Sequence, residues 1–252
     1  MTKKAQKIAG IVLAAGDGVR MNSNLPKILH EVGGKPLVFW AGKALKGAGI
    51  EKPVVVVGRS GPLIKKALKG IFDFIFAAPL GTGWAVLKTK SYFAKNMPTT
   101  IVVINGDTPL FQPETVQALI KIQQKENATI CLATVELENP TGYGRIIRNK
   151  KGDVVKIVEE KEANSQEKKI KEINAGLYCF QAPWIFQVLK RVEKSTTGEY
   201  FLTDVINIAG KNGQKIVAFK INDWLQALGV NTQKQLKEVQ EVFENRKKEE
   251  NN

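Results

Sequence analysis

The sequence predicts an α/β protein: a doubly wound, mostly parallel sheet with a small antiparallel lid or insertion. Three observations predict it. Short, continuously apolar runs recur through the first half, as expected of strands buried on both faces. Helix-like stretches separate them. In the second half the strand-like runs follow one another across polar turns instead of helices.

The elements follow in order. Ile8–Leu13 is the first strand. Lys3, Lys4 and Lys7 precede it and weakly mimic a signal peptide, but Asp17 and Arg20 follow at once and favour a core strand. Pro53–Val57, Phe72–Phe76 and Thr100–Ile104 are the next strands. Helices are expected near Pro36–Gly47, Gly61–Lys69, Gly83–Phe93 and Pro113–Lys125, giving right-handed crossovers. Beyond them Thr129–Glu136, Gly144–Arg148, Val154–Glu159 and Ile173–Phe180 read as strands of the lid, with Asn149–Asp153 a polar turn and Asn164–Lys171 a polar, mobile loop. A helix from Glu199 to about Lys211, a strand at Lys215–Ile221 and a charged helix from Thr232 to about Lys248 close the chain. The expected division is a main domain over 1–231, its lid over about 136–181, and a charged helix and tail over 232–252.

With 252 residues, 43% hydrophobic and 25% charged, the chain is neither disordered nor fibrous. No apolar run approaches the roughly 18–20 residues that span a bilayer, so no membrane partner is expected. The net charge of +14 is uneven: 16 Lys/Arg face 4 Asp/Glu in residues 1–100, and 22 face 20 in 101–252. The basic half should attract anions such as nucleotides or sugar phosphates, although many of these lysines need only be solubilising. No nucleic-acid module or interleaved basic–aromatic motif is visible, so no nucleic-acid partner is expected. Cys131 and Cys179 lie in apolar runs without CxxC spacing and read as a buried, reduced pair in a cytoplasmic protein. His30 is the only histidine, which nearly excludes histidine-rich metal sites and histidine catalysis.

In a doubly wound sheet, ligands sit at the carboxyl ends of the strands. Three loops there carry chemistry. Leu13-Ala14-Ala15-Gly16-Asp17-Gly18-Val19-Arg20-Met21 runs on to Leu25-Pro26-Lys27. Its small residues let the backbone approach a ligand, its N–H groups can cradle phosphate, and Arg20 and Lys27 add fixed charge. It is neither a Walker A loop, since no GK[ST] closes it, nor a dinucleotide fingerprint, since Met21 stands where the third glycine belongs. Leu80-Gly81-Thr82-Gly83 follows the third strand; a plain helix start with Thr82 as N-cap is the alternative. Asn105-Gly106-Asp107-Thr108-Pro109 follows the fourth; Asp107 is placed to hold Mg²⁺, with an Asx turn as the alternative.

These residues, with Leu29-His30 and Gly34-Lys35-Pro36, resemble the signature of sugar-phosphate nucleotidyltransferases, a Rossmann-like family. They are most like the uridyltransferase domain of bacterial bifunctional N-acetylglucosamine-1-phosphate uridyltransferases. The likeness continues in order through Pro140–Ile146, Val158–Lys161, Glu172–Gly176, Gly198–Asp204 and Gly229–Asn231. It implies transfer of a uridylyl group from UTP to N-acetylglucosamine 1-phosphate in the cytoplasm, with Mg²⁺ held by Asp107 and Asn231. It further implies that Arg20 and Lys27 are catalytic cations neutralising the triphosphate. Leu13, Ala14, Ala15, Gly16, Gly18, Lys27, Gly81 and Thr82 would hold the nucleotide, and Gly144, Glu159, Asn174 and Thr203 the amino sugar. No general base is needed, because a phosphomonoester with a second pKa of about 6 is already mostly ionised.

The chain departs from the pattern at Val19, where the family has Thr; at Phe76 and Pro79, where it places two glutamines; at Trp84, where it has His; and at Asn105, where Tyr is frequent. Phe76 in place of the uracil-reading glutamine predicts loose base selectivity. Phe76 and Pro79 together motivate the alternative of another NTP or hexose 1-phosphate; a non-catalytic nucleotide-sugar binder would have little use for the metal pair. Nothing in the sequence resembles the hexapeptide repeats of the family's acetyltransferase domain, so that activity is not expected of these residues, and nothing sets an oligomeric state.

Overall fold

The computed structural model describes residues 7–16 and 18–250. Asp17, Met1–Gln6 and the last two residues, including the lysines Lys3 and Lys4 named above, lie outside the described residues.

The chain order is β1 (Ile8–Ala14), the short hairpin β2 (Glu31–Val32) and β3 (Lys35–Pro36), α1 (Leu37–Gly47), β4 (Val54–Val57), α2 (Gly61–Ala67) and β5 (Asp73–Phe76). There follow α3 (Thr82–Lys88), α4 (Lys90–Phe93), β6 (Thr100–Asn105), α5 (Pro113–Lys125), β7 (Ile130–Glu136), β8 (Arg145–Arg148), β9 (Val154–Val158) and β10 (Glu172–Gln181). The chain closes with α6 (Ala182–Val188), α7 (Asp204–Lys211), β11 (Ile216–Lys220) and α8 (Gln233–Glu250). The main sheet has the order β11-β7-β10-β6-β1-β4-β5, and within it only β10 runs antiparallel to its neighbours.

Side chains alternate between the two faces of each strand. On β1, Val12 and Ala14 join Val38, Leu45, Val116 and Leu119 of α1 and α5 in one core. Ile11 and Leu13 join Val86, Phe186 and Val205 of α3, α6 and α7 in the other. Both faces are covered, which is why β1, β4 and β6 read as unbroken apolar runs. Cys131 and Cys179 stand directly opposite each other on β7 and β10, both buried and unbridged. Burial raises both thiol pKa values, Cys131 to about 12.

Four expectations are corrected. The strands Thr129–Glu136 and Ile173–Phe180, expected in the lid, are β7 and β10 of the main sheet. Within 136–181 only the β8–β9 hairpin leaves the sheet, joined to it through Ile173 opposite Arg145. Burial explains this: Ala175–Phe180 is buried without interruption, the environment of a central strand, whereas β8 and β9 each carry exposed or half-buried residues. The expected helix from Glu199 begins only at Asp204, because Tyr200 is engaged with the loop after β5. The expected single helix over Gly83–Phe93 is two, α3 and α4, broken at Thr89, whose buried hydroxyl donates to the Val86 carbonyl (2.7 Å). Helix α6 was not anticipated, although Pro183 in its first turn is a start signal. Asn164–Lys171 contains a 3-10 turn whose start is held by Asn164 Oδ1, which accepts from the N–H groups of Gln166 and Glu167.

A third small core (Met21, Val32, Leu37, Leu110, Leu228, Val230 and Val239) packs α8 against the loops after β1 and β6. Helix α8 also bonds those loops directly. Gln233 donates to the Met21 carbonyl, Gly33 N–H donates to Gln240 Oε1 (3.1 Å), and Arg246 donates to the Leu110 carbonyl (3.1 Å) and to Asp223. Among the described residues no helix is long and apolar enough to cross a membrane.

Candidate active site

The carboxyl ends of β1 and β6 lie side by side, with Leu13 opposite Asn105. Gly106 N–H donates to the Leu13 carbonyl at 2.8 Å, and a Cβ on Gly106 would stand 2.7 Å from that oxygen. Only glycine permits this approach, which brings Asp107 beside the loop after β1. That loop folds back on itself, and at Gly18 (φ +64) a Cβ would meet Lys27 Cβ at 2.4 Å. The Asn231 loop is fixed to the same place by Val230 N–H donating to the Asp107 carbonyl at 2.9 Å.

Four side chains therefore converge. Lys27 Nζ donates to Asp107 Oδ2 at 2.5 Å and to Asn231 Oδ1 at 2.9 Å. Arg20 Nη2 donates to the same Asn231 oxygen at 2.8 Å. Arg20 is exposed, whereas Lys27 and Asp107 are mostly shielded from solvent. The oxygens of Asp107 and Asn231 meet on one ammonium group, that is, on one cation-sized position. A carboxylate and a carboxamide oxygen suit a hard ion such as Mg²⁺, which keeps water and substrate phosphates for its other positions. Among the described residues no cluster of three or more His, Cys, Asp or Glu forms a closed metal cage.

Above this cluster lies a cleft of about 540 Å³. It is lined by Leu13, Ala14, Ala15, Gly16, Gly18 and Lys27 on one side and by Gly81 and Thr82 on another. Asp107 and Asn231 stand at its base, and Gly144, Glu159, Asn174 and Thr203 close the far end. The structure thus brings every expected site residue into one cleft except Arg20, which reaches it through Asn231. Thr82 is not an N-cap. Its hydroxyl accepts the Leu202 N–H (2.9 Å), and Gly83 N–H donates to the Tyr200 carbonyl. Gly81, at φ +104, leaves no space for a Cβ against that carbonyl (2.5 Å).

At the far end Thr203 donates to Glu159 Oε1 at 2.8 Å. Burial raises the Glu159 pKa; the Thr203 bond opposes this, and the Asp204, Glu162 and Glu199 carboxylates add to it. Asn174 N–H donates to the Gly144 carbonyl, linking β10 to the start of the hairpin.

Several lining residues were missed in the sequence. Tyr143 accepts the Gly229 N–H, and Tyr178 accepts from Asn174. Glu199 also lines the cleft. A tyrosine in an apolar strand reads as core, and only the bulge-forming Gly176 could have drawn attention to this part of β10. Of the departing residues, Pro79 and Asn105 line the cleft. Phe76 does not: it is 62% exposed at the end of the edge strand β5. Trp84 stacks on Tyr200 outside the cleft.

A nucleotidyl transferase family model matches residues 9–226. The chain is 39% identical over 241 residues to the bifunctional protein GlmU of Pelotomaculum thermopropionicum, covering 95% of this chain and 52% of that protein. It is 43% identical over 223 residues to the protein of that name from Bacillus licheniformis, covering 88% and 49%. The chain thus spans about half the length of the curated relatives it matches. Among solved structures it is similar to a UDP-glucose pyrophosphorylase complexed with UDP-glucose, at a TM-score of 0.75 and 21% identity, covering 95% of this chain and 99% of that one. That likeness is one of fold.

Proposed function

The chain belongs to the nucleotidyl transferase family, and from that premise we propose that it transfers a uridylyl group from UTP to N-acetylglucosamine 1-phosphate, giving UDP-N-acetylglucosamine and pyrophosphate. One observation carries the reading: Arg20, Lys27, Asp107 and Asn231 meet at one end of a cleft whose other end presents Glu159, Asn174 and Thr203. A cationic, oxygen-donating end suits a triphosphate, and a hydrogen-bonding end suits a sugar.

An oxygen of the sugar phosphate attacks the α-phosphorus. The new P–O bond forms as the bond to the β-phosphate bridge breaks, and pyrophosphate leaves with the electron pair. The attacking oxygen is already ionised near neutral pH, so the protein supplies position and charge rather than a base. The backbone of Leu13–Gly18 and Gly81–Thr82 would hold the nucleotide. Lys27 and Arg20 would balance the charge that grows on the leaving group. Asp107 and Asn231 would hold magnesium, which when bound supplies further charge neutralisation at the phosphates. The test is pyrophosphate release across four NTPs and several sugar 1-phosphates, with and without Mg²⁺. No release with UTP and N-acetylglucosamine 1-phosphate would overturn the reading.

A second reading, the same chemistry on another base, is favoured by Pro79 in the cleft wall. The lining residues Leu13–Gly16, Gly18 and Gly81 would offer a base backbone groups rather than a carboxamide side chain.

A further inference from the structure

We propose that Tyr143 is a positioning residue, a strut from the base of the β8–β9 hairpin that holds the Gly229–Asn231 loop and so keeps the Asn231 oxygen beside Asp107. This rests on the reading of Asn231 as a metal ligand.

The short Asn231 side chain can place its oxygen at a metal only if its own backbone is fixed. The structure fixes it through consecutive N–H groups. Leu228 N–H donates to the Leu225 carbonyl at 3.2 Å, and Gly229 N–H to the Tyr143 hydroxyl at 3.3 Å. Val230 N–H donates to the Asp107 carbonyl at 2.9 Å, and Asn231 N–H to Gln235 Oε1 at 2.8 Å. The loop is thus tied to the hairpin by Tyr143, to the end of β6 by Asp107 and to α8 by Gln235. A backbone N–H can only donate, so the Tyr143 oxygen is the acceptor whichever way its own proton turns.

Tyr143 is held at its other end as well. Arg145, 1% exposed, donates through Nη1 to the Tyr143 carbonyl and through Nη2 to Glu160 Oε2 at 2.7 Å. The same carboxylate oxygen accepts the Gly142 N–H at 3.1 Å. One residue on, the Gly144 carbonyl accepts the Asn174 N–H from β10 at 2.9 Å. The ring packs against the core that α1 and α5 cover. Foot, shaft and tip of the strut are therefore all engaged.

Gly229 is buried. Without the phenol oxygen its N–H has no acceptor, and the loop must shift to find one. The shift passes to Asn231 two residues on. Asn231 Oδ1 accepts from Lys27 at 2.9 Å and from Arg20 at 2.8 Å, so the cations at the phosphate end move with it.

Tyr143→Phe keeps the ring and removes the acceptor. In hydrogen-exchange NMR of the variant, the Gly229, Val230 and Asn231 amides should exchange roughly fivefold faster than in wild type, while the amides of β1 and β6 keep their rates. Unchanged rates at all three, a faster Gly229 alone, or an equal rise across β1 and β6 overturns the proposal. This readout needs no turnover. In steady state the Mg²⁺ concentration for half-maximal rate should rise by a similar factor. An unchanged Mg²⁺ requirement in an active variant overturns the positioning of Asn231. A wild-type protein that turns over no sugar phosphate defeats the functional reading by itself and leaves the exchange measurement to decide the strut.

Discussion

Lys27 and Asp107, eighty residues apart in the chain, meet through a 2.5 Å contact between Nζ and Oδ2, and Asn231 Oδ1 accepts from the same ammonium at 2.9 Å. One position is thus shared by a cation of the protein and by the two oxygens suited to a metal. This relationship makes the two side chains separable by mutation. Asp107→Ala should lower turnover by orders of magnitude, because it removes charge neutralisation at the reacting phosphates, while thermal unfolding stays cooperative. Near-wild-type turnover in steady-state assays would remove Asp107 from the site.

Arg20 is exposed and reaches the cluster only through Asn231, so its contribution should be to the charge that develops during reaction. Arg20→Ala is expected to lower kcat by ~10²–10³ with little change in the KM for UTP. A raised KM at constant kcat would make it a binding residue alone.

For Glu159 the sign of the pH effect follows from burial. Its carboxyl pKa is raised in the folded protein, so the ionised form is the disfavoured one. The resulting loss of stability is absent below the ordinary carboxylate pKa, grows as pH rises through the raised value, and is complete above it. Glu159→Gln, which keeps the acceptor for Thr203, should therefore melt higher than wild type at pH 8 and no higher in acid. Sugar-phosphate KM should rise in the same variant. Calorimetry at the two pH values checks the first statement; an equal Tm shift at both would contradict it.

The β1, β4 and β6 strands were legible because burial on both faces leaves a run with no polar interruption. The place of β10 was not. Its partners, β6 and β7, are chosen by packing, and nothing within Glu172–Gln181 states that it enters the middle of the sheet. The site residues were legible as a set of motifs in order, since small residues and charges at strand ends have few other uses. Tyr143 and Tyr178 escaped because their rings belong to the core and only their hydroxyls belong to the cleft. For Phe76, sequence gives the residue at the strand end, but not the side of the edge strand on which the ring lies.

Phe76 supplies a prediction of its own. Since the ring lies outside the cleft, Phe76→Ala should leave the ratio of kcat/KM for UTP and CTP unchanged. A clear shift in that ratio would place the ring at the base.

Gly81→Ala should damage the nucleotide end without touching a charge. The new Cβ meets the Tyr200 carbonyl at 2.5 Å on a backbone with φ +104, so the contact between the β5–α3 loop and the segment before α7 must open. A lower Tm and a raised KM for UTP are expected together; a wild-type Tm would show that the loop yields without strain.

Helix α8 holds the Met21, Gly33 and Leu110 backbones. Mechanically it is a tether fastened to the site loops as well as to α1, where Phe243 packs on Trp40. Tension along the helix axis would arrive first at the loops bearing Arg20 and Asp107 and only later at β1 and β6. Under a graded pull the phosphate end would come apart while the sheet was still whole, so ligand capture would be lost at a lower force than the fold.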